Sequence, residues 1–191
     1  MLLGGIKMTK TILLLITSVA IISAPCYAGD SQQIFNSTKT LEGDWVLSAA
    51  NKQQGKATKH TLVAPLVGTD AVAMNFKLVG KGSTVQETLL PGTKKEMVSM
   101  YHCKDEKCSQ VKATHYCVKQ NQPEMLADPA STTSNLIYNC DMSTELCQSG
   151  QDHIHKITHN TSSDGDHLIT TYTSWKDGKF LKDSIYHFDR K

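Results

Sequence analysis

Beyond residue 40 the chain alternates short β-branched or aromatic runs with turn signals spaced roughly every ten residues, the pattern of a sandwich or barrel. Strands are predicted over residues 44–49, 59–67, 70–79, 84–90, 96–103, 108–118, 134–140, 153–160, 167–175 and 180–188. Gly80, Pro91-Gly92, Asp164-Gly165 and Asp177-Gly178 mark turns between them. So many short strands in one domain favour closure, because a closed sheet has no edges to protect. Over residues 31–41, Ile34 and Leu41 fall on one helical face with Phe35 beside them, which predicts a short N-terminal helix. The expected class is all-β: a single antiparallel up-and-down barrel with that helix.

The first residues follow a different pattern. Lys7 and Lys10 precede the apolar run Ile12 to Ile16 and Val19 to Ile22, and Cys26-Tyr27-Ala28 ends it with small residues at the outer two positions. This is the plan of a secretory signal, with cleavage expected at about Ala28/Gly29. The apolar stretch is shorter than the ~20 residues needed to span a bilayer, so no integral membrane association is expected. Residues 1–28 are therefore read as a signal peptide and 29–191 as the barrel domain, periplasmic or secreted. Loss of Lys7 and Lys10 brings the formal charge of +2 to zero. The only arginine is Arg190, and no lysine run exceeds Lys94-Lys95, so the clustered cations that displace counterions from nucleic acid are missing.

An exported chain can form disulfides, and five cysteines follow the signal: Cys103, Cys108, Cys117, Cys140 and Cys147. If Lys104-Asp105-Glu106-Lys107 is a four-residue turn, Cys103 faces Cys108, Met100 faces Val111 and Glu96 faces His115. Parity then turns Val98, Met100, His102, Val111, Ala113, His115 and Cys117 inward, and Ser99 and Tyr101 outward. A Cys103–Cys108 bridge is favoured, and a second, Cys140–Cys147, closes the short loop Asp141 to Leu146, leaving Cys117 as a shielded thiol. The competing scheme joins Cys117 to Cys140 and frees Cys147.

The block Pro91-Gly92-Thr93, Glu96-Met97-Val98, Tyr101-His102, Thr114-His115-Tyr116-Cys117 and Asn121-Gln122-Pro123, followed by Met125, resembles a group of bacterial lipocalin-like proteins. With weaker similarity at Asp152-His153 and from His167 to Gly178, the resemblance covers most of residues 40–190. It implies a calycin-type β-barrel and specifies fold rather than activity. Cys103, Cys108, Cys140 and Cys147 depart from the group's pattern and look like local additions to an exported version. Gly43-Asp44-Trp45 is similar to the lipocalin Gly-x-Trp entry to the first strand. The resemblance implies that Arg190, at the end of the last strand, packs on Trp45 and closes the barrel's bottom.

Two function classes follow. The first is a binding module that holds a small apolar or amphipathic ligand in the barrel, with Glu96, Met100, His115, Cys117, Asn121, Gln122, His153 and His155 as candidate ligand-binding residues. The second is an enzyme in which Glu96 and His115 form an acid-base pair, although no activated nucleophile accompanies them. A metal alternative rests on His115-x-Cys117 and His153-x-His155, each placing two donors on one strand face at about 6.6 Å. No cofactor is specified by the sequence. The binding module is favoured.

Overall fold

The computed structural model describes Met1 and residues 30–50 and 59–191. The expected signal peptide and its cleavage point lie outside these residues. Ten strands are formed: β1 Gly43–Leu47, β2 Val72–Val79, β3 Thr84–Leu89, β4 Met97–Cys103, β5 Val111–Tyr116, β6 Glu124–Ala127, β7 Asn135–Cys140, β8 His153–Thr161, β9 His167–Lys176 and β10 Lys179–Arg190. Each pairs antiparallel with its sequence neighbours, and β1 pairs with β10, so the sheet closes into a ten-stranded barrel. No helix among the described residues is long and apolar enough to cross a membrane.

Inward residues follow the two-residue period of each strand. In β3, Val85, Glu87 and Leu89 are buried and their neighbours are not. The interior is crowded with large side chains, among them Trp45, Phe76, Tyr101, Tyr138, Tyr172 and Phe188. Helix α1, Ser31–Lys39, is N-capped by Asp30, whose carboxylate accepts from the Gln32 amide. It lays Ile34 and Phe35 into the core against β4, β5 and β7, plugging one end.

That same end is closed by the contact expected from the resemblance. Trp45 and Arg190 are register partners on β1 and β10, and the guanidinium lies 4.3 Å from the indole centre. Arg190 also donates to the carbonyls of Thr40, Glu42 and Gly165 at 2.9–3.1 Å, while Trp45 Nε1 donates to Leu41. Gly43 has φ +129°, and a Cβ there would sit 3.3 Å from Arg190 Nη1, so both backbone and space select glycine.

Two strand expectations are corrected. Residues 59–67 form turns and a 3₁₀ segment at Ala64–Leu66, because Pro65 lacks the amide a strand would pair. The four-residue β6 is a strand that the sequence reading missed, its Met125 and Ala127 facing inward.

The β4–β5 hairpin also differs. Cys103 pairs with Val111 and Ser99 with His115, so the connection runs from Lys104 to Gln110. Cys103–Cys108 is bonded as expected, but within this loop and not across the strands. Cys108 takes a left-handed φ of 50°, the Asp105 carboxylate receives the Ser109 amide, and Lys104 N donates to Gln110 O at 2.8 Å. The register is displaced by three positions, an odd number, so β4 turns its other face inward. Ser99 and Tyr101 are buried inside; Val98, Met100 and His102 lie on the outer face. The second bridge is Cys140–Cys147, joining β7 to the short helix α2, Glu145–Gln148, and Cys117 is a buried free thiol.

Candidate functional site

The register inversion dismantles the Glu96–His115 pair. Glu96 is exposed, and its carboxylate accepts from the Gly92 amide at 2.6 Å, holding the Pro91-Gly92-Thr93 turn. His115 is inward and fully buried as expected, but its Nδ1 meets Ser99 Oγ at 2.9 Å. Burial pulls its pKa down to about 4, so the ring is neutral. Its Nε2 has no hydrogen-bond partner among the described residues.

The barrel's centre holds a polar cluster that the reading missed. Glu87 is completely buried, and its carboxylate accepts from the hydroxyls of Tyr101 and Tyr172. His159 Nε2 stands 3.0 Å from the Tyr101 hydroxyl and 3.4 Å from the Glu87 carboxylate, with Nδ1 3.0 Å from Thr170 Oγ1. Burial pushes the Glu87 carboxyl up, but the hydrogen bonds from His159 and the two tyrosines outweigh it and hold the pKa below the ordinary value. Both phenols are pushed far above their usual range, first by burial and then by the Glu87 charge, and stay protonated. A sealed network with its donors and acceptors matched is a packing device. Its signal was a glutamate in phase with Val85 and Leu89, and tyrosines and a histidine at inward positions of β4, β8 and β9.

Open space lies at the end away from α1. A cavity of about 100 Å³ is walled by Leu90, Met97, Cys117, Ile154, Tyr172 and Tyr186, with Lys95, Lys119 and Lys182 also lining it. An adjoining cavity of about 200 Å³ shares Lys95, Lys182, Ser184 and Tyr186 and adds His60, Val63 and Asp183, whose carboxylate accepts from Thr173 Oγ1 at 2.7 Å. Lys119 is paired with Asp152, whereas Lys95 and Lys182 have no ion-pair partner among the described residues. Leu90 holds φ 53°, a conformation costly for a side chain of this kind, with its amide bonded to Ala73 O at 2.7 Å. Such strain persists where the surroundings over-determine it, and here it sits in the cavity wall.

The remaining candidates divide between locations. Cys117 belongs to the mouth, its Sγ 3.8 Å from Met97 Sδ, and burial raises its thiol pKa. Asn121 is buried and donates to Asp152 O at 2.9 Å; Gln122 is exposed. His153 and His155 meet each other on the outer wall, Nε2 to Nδ1 at 3.0 Å, and His155 stacks on Trp175. Burial, then the adjacent His153, lowers the His155 pKa. The only group of three such donors among the described residues adds Cys140 to these histidines, so His115 and Cys117 do not join them as the metal alternative expected.

Comparison with protein-family models, curated proteins and solved structures finds no match to the chain.

Proposed function

We propose that the protein is an exported barrel that binds a small amphipathic anion in its mouth. The observation that carries this reading is the meeting of Lys95 and Lys182 at two adjoining cavities above an apolar throat. The throat of Leu90, Met97, Ile154 and Tyr172 suits an alkyl chain; the lysines suit a carboxylate at its end. Both volumes fall below the roughly 300–1,000 Å³ of drug-sized sites, so the ligand is short. The closed ten-stranded barrel is consistent with the lipocalin-like resemblance, and two disulfides suit an oxidising compartment.

The test is calorimetric titration with hexanoate and hexanol. Hexanoate should bind more tightly than the alcohol. Lys95→Met with Lys182→Met should remove that preference, at about tenfold for each charged hydrogen bond lost. Equal affinity for the two ligands, or an unchanged double variant, contradicts the reading.

A further inference from the structure

His153 and His155 carry a feature that the mouth does not use. A bulge between Ile154 and Lys156 interrupts the β8–β9 register, and His153 pairs with Trp175. The His155 ring stacks on that tryptophan, centroids 4.0 Å apart and planes within 14°, which fixes its orientation. His153 is buried, and its Nδ1 lies 2.7 Å from Gln151 O. A neutral ring donates from Nδ1 to this carbonyl, leaving the Nε2 lone pair toward His155 Nδ1. That is the arrangement by which a backbone carbonyl sets the tautomer of a metal-binding histidine.

The two facing nitrogens are 3.0 Å apart, and Cys140 Sγ completes a group whose atoms all lie within 4.8 Å of one another. Two nitrogens tetrahedrally bound to one zinc ion, each at about 2.0–2.1 Å, are separated by roughly 3.3 Å. Cys147 Sγ is bonded to Cys140 Sγ, which puts a second sulfur beside this group though outside it. A cavity of about 390 Å³, lined by His155, Cys140, Trp175 and Asp183, opens beside the group.

We propose that Cys140, Cys147, His153 and His155 form a thiol-gated site for a divalent ion of zinc type. While the bridge is intact its sulfurs are poor donors, and only two imidazoles are offered. A dithiol reductant delivers two electrons and two protons to the Cys140–Cys147 bond, breaking it to two thiols as the reductant closes its own disulfide. The ion then displaces both thiol protons and is held by two thiolates and two imidazoles, a closed tetrahedral set.

The purified protein, oxidised or reduced with a phosphine, is titrated with cobalt(II), and zinc is then added as competitor. Reduced protein should show the intense visible bands of tetrahedral cobalt and a thiolate-to-cobalt charge-transfer band, both abolished by zinc. Oxidised protein should show no charge-transfer band and bind at least about 100-fold more weakly. Cys140→Ser should lose the band. His153→Gln and His155→Gln should each weaken binding at least about tenfold, since loss of a mere orienting partner of a ligand already costs about 10–100-fold. Cys103→Ser should leave the spectrum unchanged.

Should reduction loosen the fold, zinc must restore the near-ultraviolet dichroism of the native state; failure to restore it counts against the site. Equal affinity of oxidised and reduced protein, a band surviving in Cys140→Ser, or histidine variants that bind like wild type would each overturn the proposal.

Discussion

Trp45 is wholly buried, whereas Arg190 is half-buried and holds its place by one ring stack and three carbonyls. Trp45→Ala should therefore cost about 3–5 kcal/mol, and Arg190→Ala about 1–2. Urea denaturation of both variants checks the order; equal midpoints would contradict it. His115 gives a pH dependence. Its pKa, about 4 when folded against 6.5 for the free side chain, means that the unfolded chain binds more protons between these values. Stability from this group is complete above about pH 6.5, falls as the pH drops to about 4, and is level below that. The full span is on the order of 3 kcal/mol. His115→Gln should flatten the stability profile in that window, and an unchanged slope would show that burial does not keep the ring neutral.

At the scale of elements, most of the fold was legible because burial on one face imposes a two-residue period. Nine of the ten predicted stretches contain strands, the bottom contact of Trp45 with Arg190 is formed, and both local bridges are present. What failed was register across one loop. The turn between β4 and β5 was counted from the cysteines, but Cys103 and Cys108 fold the loop back on itself. Parity cannot reveal such an error, since Val98-Ser99-Met100-Tyr101 offers a plausible inward face in either phase. The Glu96–His115 pairing inherited that error. The Glu87 network was hidden for another reason: its partners come from strands far apart in sequence, and each alone reads as an ordinary inward polar residue. Short β6 lacked length, and residues 59–67 were apolar enough to imitate a strand despite Pro65.

For the whole molecule, the two ends of the barrel divide its tasks. One is sealed by α1, Trp45 and Arg190; the middle is filled by aromatic rings around Glu87; among the described residues, the end carrying Lys95 and Lys182 retains space. A barrel filled in this way has room for a ligand at its mouth and not through its length. Methionines report on these regions separately: Met97 lines the throat, Met74 and Met125 are buried in the core, and Met142 lines the outer-wall cavity. The decisive measurement is therefore a hexanoate titration of protein carrying isotope-labelled methionine methyl groups, followed by NMR. The Met97 methyl should shift in a saturable way while those of Met74, Met125 and Met142 stay in place. A stationary Met97, or saturable shifts confined to Met142, would contradict binding at the mouth.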